Sequence, residues 1–512
     1  MNREEMIKAL EEAPDAWDVL IIGGGATGLG AAVDAASRGY RTLLLEQSDF
    51  AKGTSSRSTK LIHGGLRYLQ QGNISLVTEA LRERGLLCKN APHLIHHLPF
   101  LVPNYHWWEG PFYGVGLKVY DLLAGKLGIE KSEHLSRAQT LKAIPTLEPE
   151  GLRGGVIYYD GQFDDSRLAI TLAQTAADQG AVLVNYMKVT GLVKSRGKLI
   201  GVKARDGETK KTYKLHAKVL INATGVFSDE IIRLDRAKAP KIIAPSQGVH
   251  IVLDKSFQPG KSAILVPHTE DKRVVFLVPW HDRVLVGTTD TPVSKTPLEP
   301  KPLKEEIAFL LKCAARYLIK DPTTADVLSV FAGLRPLIKA GKGKKTAALS
   351  RDHTILVAPS GLITIAGGKW TTYRKMAEDV IDRAQIVGAL PKKPCRTQDL
   401  RLHGWKRMSP LSPFATYGSD AKHLKKTGKP MHPKLPYLPS EVIWAVRKEM
   451  ARTVEDVLAR RTRALLLDAR ASIEIAPLVA KLMAKELGYG KEWQKKQIAA
   501  YTKLARGYFI ET

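Results

Sequence analysis

The stretch WDVLIIGGGATGLGAAVDAASRGYRTLLLE, Trp17–Glu46, decides how this chain is read. Trp17–Ile22 is a short apolar run that stops at glycine, which predicts a buried strand. From Thr27 to Arg38 small and apolar residues recur at helical spacing, Gly39 is placed to stop that helix, and Arg41–Glu46 predicts a second strand. Between strand and helix, Gly23, Gly25 and Gly28 stand at the G-x-G-x-x-G spacing, and Glu46 closes the second strand. This is the full context of a βαβ unit that binds a dinucleotide. The glycines let the backbone approach a pyrophosphate, and the helix N-terminus presents unpaired N–H groups at the positive end of its dipole. Glu46 is placed to accept from ribose hydroxyls.

The rest of the chain sets outer bounds. With 512 residues, 44% of them hydrophobic, it can bury a large core and form more than one domain. Cys88, Cys313 and Cys395 are too few and too far apart for a disulfide framework or a CxxC metal site, which points to a reducing, cytoplasmic setting without a metal. The first twenty residues are charged and polar before any apolar run, so no signal peptide is expected, and no stretch is apolar for long enough to span a bilayer.

A formal net charge of +27 attracts anionic substrates, anionic lipid or nucleic acid without choosing among them. Residues 401–512 hold 22 Lys+Arg against 10 Asp+Glu, on helix-like spacing such as EVIWAVRKEMARTVEDVLARRTRALLLD. A solvated basic face and a membrane- or partner-binding face both fit that pattern. Nucleic-acid binding is not expected, because no RNP-like, zinc-finger or KH-like signature is present.

Two later segments bear on which dinucleotide is bound. KVLINATGVFSDEI, Lys218–Ile231, runs as a buried strand into Ala223-Thr224-Gly225, and resembles the second dinucleotide-contacting strand end of glutathione-reductase-like FAD proteins. GLITIAGGKWTTYRKMAEDVIDRA, Gly361–Ala384, is a strand, a Gly-Gly turn and a helix whose first turn holds Thr371 and Thr372. Such a turn can aim backbone donors and Lys369 at the pyrimidine end of a flavin. Three such turns favour the longer cofactor, FAD. The runs GVHIVLD, AILVPH, VVFLVPW and RVLVGTTD predict the antiparallel sheet of an inserted substrate lobe, with Thr269–Arg273 as a hairpin turn and Gly341–Lys345 as a charged loop.

Taken in order, GTSSRSTKLIHGGLRYLQQGN, LVTEALRER, INATG, GTTDT, AGLRPL, SRDH and AGGKWTTYRKMAED resemble the FAD-dependent glycerol-3-phosphate dehydrogenase/oxidase family. RKEMARTVEDVLARRTRALLLDA continues the resemblance toward the C-terminus. It implies an α/β fold: a glutathione-reductase-like, Rossmann-type FAD domain (15–80, 155–232 and 335–395), an inserted α+β antiparallel-sheet substrate or cap domain (81–154 and 233–334) and a C-terminal α-helical domain (396–512). It also implies oxidation of sn-glycerol 3-phosphate to dihydroxyacetone phosphate, with a hydride passing from substrate C2 to flavin N5.

By residue, the resemblance makes His63 the proton acceptor and Arg335 the group that polarises the reacting hydroxyl. Arg67 is the phosphate arginine, Tyr68 a substrate contact, and Arg351 and Lys369 further basic residues of the pocket. Cofactor contacts are implied for Gly23, Gly25, Thr27, Gly28, Glu46, Gln47, Thr54, Ser55, Ser56, Gly64, Gly65, Ala223, Thr224, Gly225, Gly368, Lys369, Thr371 and Thr372. A membrane quinone is the implied electron acceptor, with the enzyme peripheral on the inner face of the cell membrane, drawn to its anionic surface, and with room for a homodimer. Tyr105–Gly125, rich in aromatics, has the character of an interfacial helix and equally of a core helix. Three other readings stand beside this one: an oxidase that uses dioxygen, although the sizeable insertion of such oxidases is not detected; a flavin enzyme for a 2-hydroxy or amino acid, which needs carboxylate recognition; and a non-catalytic or nucleic-acid-associated flavoprotein.

Overall fold

The apolar runs assemble into two sheets with helices packed around them. The computed structural model describes every residue except 14, 15, 67, 68, 70, 71, 268, 270–273, 340–352, 410, 411, 427 and 512, and the side chain of Lys126.

The first sheet has eight strands among the described residues and is built on Trp17–Ile22. That strand pairs in parallel with Thr42–Leu45 on one side and Thr212–Asn222 on the other. Val182–Val184 and Ile363–Gly367 extend the sheet in parallel, and His353–Val357 closes one edge antiparallel. Val19, Leu20 and Ile21 are fully buried because both faces of the sheet are covered, which is why the strand reads as an unbroken apolar run and not an alternating one. Helix Ala26–Ser37 packs against both Asp165–Asp178 and Tyr373–Val387 beside this sheet. A hairpin, Met187–Ser195 and Lys198–Asp206, is added to the long strand Thr212–Asn222.

The second sheet has ten strands among the described residues. Its centre is the antiparallel set Ile243–Asp254, Arg283–Gly287, Val275–Trp280 and Ala263–Val266, as the apolar runs predict. Ala263–Val266 then pairs in parallel with His96–Asn104, so the sheet is mixed at that joint. Gly154–Gln162 lies in this sheet beside His96–Asn104, and Leu61–Ile62 pairs with Gly154–Gln162, although residues 15–80 and 155–232 read as part of the dinucleotide domain. Val327–Ile338 likewise pairs with Ile243–Asp254 over nearly its full length, so residues 335–338 also lie in the second sheet. The hairpin turn expected at Thr269–Arg273 and the charged loop expected at Gly341–Lys345 fall on residues of which all but Thr269 lie outside those described, whereas the two strands flanking the turn do pair.

The C-terminal part is helical, with Pro439–Glu449, Ala469–Leu487 and Lys491–Ala505 as its main helices. One continuous core joins it to the second sheet, where Leu98, Phe100 and Leu285 belong to the same apolar cluster as Val457, Leu466 and Ile475. No helix among the described residues is long and apolar enough to cross a membrane.

Candidate active site

The first turn of the chain's βαβ unit is wedged between neighbours. Gly23 adopts φ +110°, which favours glycine, and a Cβ there would stand 2.7 Å from the carbonyl oxygen of Ala223. Gly28 sits in the first turn of helix Ala26–Ser37, and a Cβ on it would approach the Gly23 carbonyl oxygen to 1.9 Å. Backbone of the 23–25 turn, the helix N-terminus and Ala223-Thr224-Gly225 therefore meet at close range, with Gly225 at φ +59°. Glu46 extends from the second strand, and its carboxylate accepts from Gly24 N at 2.7 Å and Ser48 N at 2.8 Å. Burial raises this carboxyl above its ordinary value, and the two backbone donors pull the other way.

These residues open onto a cavity of about 670 Å³, in the upper part of the usual range for ligand sites. Gly23, Gly25, Thr27, Glu46 and Gln47 line it, together with Ala223, Thr224 and Gly225. The loop after the second strand supplies Thr54 and Ser55. Ser55 Oγ accepts from Ala26 N at 2.9 Å, and its carbonyl accepts from Trp370 Nε1 at 2.9 Å. Gly368, Lys369 and Thr371 line the same cavity. Thr371 Oγ1 lies 3.3 Å from the backbone N of His63, so the Gly-Gly turn and the histidine loop are tied to each other.

A second cavity, of about 210 Å³, adjoins the first. Thr59, Leu61, His63, Thr288 and Arg335 belong to the walls of both. Arg335, on strand Val327–Ile338, is aimed by four contacts: Nη1 lies 3.2 Å from Asp290 Oδ1 and donates to Gln247 O, while Nη2 donates to Thr288 Oγ1 at 3.1 Å and Thr289 O at 2.9 Å. A Cβ on Gly248 would strike that guanidinium at 2.6 Å, so the glycine makes room for it. His63 is half-buried. The next residue, Gly64, donates its N–H to Tyr120 Oη at 2.7 Å, and the Tyr120 hydroxyl donates to Asp160 Oδ2 at 2.7 Å. Asp160 is paired with Arg84 at 2.6 Å, and burial raises its carboxyl above the usual range.

Of the site residues expected from sequence, Gly23, Gly25, Thr27, Glu46, Gln47, Thr54, Ser55, His63, Ala223, Thr224, Gly225, Arg335, Gly368, Lys369 and Thr371 line the larger cavity. Gly28, Ser56, Gly64 and Thr372 stand behind its wall, and Gly65 lines only the smaller cavity. Gly64 meets protein there: a Cβ would lie 2.5 Å from Tyr120 Oη and 2.6 Å from Leu81. Ser56 and Thr372 are buried against their own loops. Arg67, Tyr68 and Arg351 lie outside the described residues.

Sequence reading passed over His250, Asp290 and Asp160. His250 lines the larger cavity, bonds Thr59 Oγ1 at 2.9 Å and stacks on Phe331. Burial, with Lys60 and Arg335 nearby, keeps its imidazole neutral by pulling its pKa well below the usual value. One histidine inside the apolar run GVHIVLD carries no signal that separates it from a core residue.

The sequence profile of the FAD dependent oxidoreductase family matches residues 18–374, and that of the C-terminal domain of alpha-glycerophosphate oxidase matches residues 363–496. The mitochondrial glycerol-3-phosphate dehydrogenase of Mesocricetus auratus is 41% identical over 98% of this chain and 75% of its own length. A probable mitochondrial glycerol-3-phosphate dehydrogenase of Caenorhabditis elegans is 42% identical over 97% of this chain and 74% of its own. Among solved structures, the glycerol-3-phosphate dehydrogenase from Bacillus halodurans complexed with FAD superposes with a TM-score of 0.79 at 30% identity, covering 99% of this chain and 97% of that one. L-alpha-glycerophosphate oxidase from Mycoplasma pneumoniae shares the fold at a TM-score of 0.57 and 21% identity, covering 75% of this chain and 97% of that one. The glycine turn, the helix N-terminus and the volume of the cavity fit FAD: Gly23 and Gly25 line the cavity, and side chains at Gly23 or Gly28 would strike backbone and displace the turn that must approach a pyrophosphate. Over nearly its whole length the chain belongs to the FAD-dependent glycerol-3-phosphate dehydrogenase family.

Proposed function

We propose that this enzyme oxidises sn-glycerol 3-phosphate to dihydroxyacetone phosphate. The observation that carries the reading is the shared wall, where His63 and Arg335 face a dinucleotide-sized cavity on one side and a smaller cavity on the other. FAD, when bound, supplies the acceptor for the hydride that leaves C2. Gly23, Gly25, Glu46, Ser55, Thr224 and Lys369 would hold it, in the cavity they line.

The protein's own part is to bind, orient and move a proton. His63 takes the proton of the C2 hydroxyl as the C–H bond breaks, so alcohol becomes ketone with two electrons and one proton leaving the carbon and one proton leaving the oxygen. Arg335 stabilises the negative charge that gathers on that oxygen, and its contacts to Asp290, Thr288 and Thr289 keep it aimed without reorganisation during the step. Arg67, with Tyr68 beside it, is assigned to the phosphate; Arg351 and Lys369 complete the basic lining. The three-part division of the chain into FAD, cap and helical domains belongs to this proposal.

The assignment is tested by anaerobic mixing with sn-glycerol 3-phosphate. Bleaching of the flavin band is the expected result. Bleaching by lactate or a D-amino acid, and none by glycerol 3-phosphate, removes the phosphate-ester reading.

Electrons pass onward to a membrane quinone in this proposal, which requires the enzyme to sit on the bilayer surface. Helix Glu109–Ala124 supports it. Trp107, two residues before the helix, is 76% exposed; on the helix Phe112, Val115, Val119 and Leu122 are 54%, 67%, 41% and 79% exposed, while Tyr113, Leu117 and Tyr120 are buried. Full burial of such a side chain is worth about 1.5–3 kcal/mol, so leaving five in water forgoes far more than one surface ion pair returns. Lys118 is exposed among them, as suits an anionic headgroup layer. Replacing Val115 and Leu122 with Asp should cut co-sedimentation with anionic vesicles about tenfold and leave FAD content unchanged. Vesicle binding equal to wild type would take this helix off the membrane.

A further inference from the structure

Loop 49–60, which supplies Ala51, Lys52, Gly53, Thr54, Ser55, Arg57, Ser58 and Thr59 to the cofactor cavity, has little regular structure of its own beyond one short turn at Thr54–Ser56. Ala51 and Lys60, at its two ends, are held at φ +60° and +64°, where side chains other than glycine are uncommon. Something outside the loop must determine its path.

One short segment of the C-terminal part does so. Arg461 brackets Asp49 with Nη1 at 2.7 Å and Nη2 at 2.9 Å, and Arg460 Nε reaches the same carboxylate at 2.5 Å. Burial would raise the Asp49 carboxyl, but the two arginines hold it down at about 2. Glu455 takes Lys52 Nζ at 2.7 Å. Arg463, itself at φ +66°, donates Nη2 to the carbonyl of Ser56 at 2.7 Å and to Asp165 Oδ1 at 3.0 Å. The other oxygen of Asp165 gathers Ser58 N, Ser58 Oγ and Lys60 Nζ within 3.0 Å. Lys60 Nζ completes the knot on Ser56 O at 2.9 Å. Arg463, Asp165, Lys60 and Asp49 are all almost fully buried.

Buried ion pairs are a poor device for stability alone, because desolvation offsets most of their attraction, and they are better suited to specifying one geometry. Here they grip both ends of a single loop, at Asp49 and at Ser56–Lys60, and leave its middle facing the cavity.

We propose that residues 455–463 of the C-terminal part clamp the cofactor loop, with Arg463 as the positioning residue that fixes the Ser56 carbonyl and thereby holds Thr54 and Ser55 against the cofactor. The clamp rests on FAD occupying the cavity and not on the identity of the substrate. Its test therefore needs no substrate, and a wrong substrate assignment and a wrong clamp give different results.

Holoenzyme is diluted and FAD release followed by the return of flavin fluorescence. Arg463→Met should release FAD at least about tenfold faster than wild type, which corresponds to the loss of about one strong buried hydrogen bond, and Arg463→Lys should recover most of the difference by keeping a cation beside Asp165. Arg452→Met is the control: Arg452 ties the C-terminal part to Glu208 and Glu4 and does not touch the loop, so it should lower thermal stability while FAD leaves at the wild-type rate. Release from Arg463→Met within twofold of wild type, or equal acceleration in Arg452→Met, overturns the proposal. If Arg463→Met does not give folded holoenzyme, Glu455→Gln, which loosens only Lys52 and Arg460, decides: release about threefold faster supports the clamp, and an unchanged rate overturns it.

Discussion

Gly28→Ala should purify as a folded protein that has lost its FAD. The added methyl would sit 1.9 Å from the carbonyl oxygen of Gly23, far inside contact distance, so either the helix or the turn must shift. Neither has room. Gly23 is itself wedged against Ala223, where a Cβ would meet the carbonyl oxygen at 2.7 Å, and the helix is packed on Tyr373 so closely that a Cβ on Gly30 would meet that ring at 2.8 Å. Overpacking of this kind costs about 1–3 kcal/mol or more, and the distortion falls on the backbone that must approach the pyrophosphate. FAD affinity should fall at least about a hundredfold, the equivalent of roughly 2.7 kcal/mol. The ratio of flavin to protein absorbance reads the effect, and far-ultraviolet circular dichroism shows whether the fold survives. Gly116→Ala, in a helix where a Cβ would meet nothing within 4 Å, should keep its full complement of FAD. Normal FAD content in Gly28→Ala would mean that the turn is looser than its contacts indicate.

The second large effect is expected at Arg335. Replacing it with Met removes the cation from the wall between the two cavities and leaves Asp290 with Ser246 alone of its two side-chain partners. Loss of one preorganised donor at a developing oxyanion costs about 10²–10³ in rate, and a full charge should reach the upper end of that range. The loss should fall on the rate of flavin reduction at saturating glycerol 3-phosphate more than on KM, because the interaction strengthens as the oxygen gains charge. Arg335→Lys should recover only part, since one ammonium cannot reproduce the fork that spans Asp290, Thr288 and Thr289. Stopped-flow reduction within tenfold of wild type in the Met variant would remove Arg335 from the reacting end.

The βαβ unit at Trp17–Glu46 was legible because everything it needs is local: a buried strand, three glycines at fixed spacing, a helix N-terminus and an acid at the next strand end all lie within thirty residues. The turns at Ala223–Gly225 and Gly367–Thr372 were legible for the same reason, each being a strand end running into glycine. Local patterning could not settle pairing. Gly154–Gln162 and Val327–Ile338 carry nothing in their own residues that sends them to the second sheet; their partners, His96–Asn104 and Ile243–Asp254, lie at least fifty residues away in the chain. The same limit hid Asp290, whose role exists only because Arg335 arrives on another strand, and His250, which in isolation is an ordinary histidine in an apolar strand.

Charge was the most misleading signal. The run VEDVLARRTRALLL reads as a basic helical face, yet Arg460, Arg461 and Arg463 are buried against Asp49, Ser56 and Asp165, more than 290 residues earlier in the chain. Sequence by itself determined the dinucleotide unit, the order of the three glycine turns and the family, and it singled out His63 and Arg335 as candidates. Only the tertiary structure decided that those two residues share one wall, that Gly64 serves packing against Tyr120, and that arginines of the C-terminal part grip the cofactor loop. The physical reason is range: glycine spacing and strand-to-helix turns act over a few bonds, whereas the partner of a buried charge is whatever the folded chain brings within 3 Å of it.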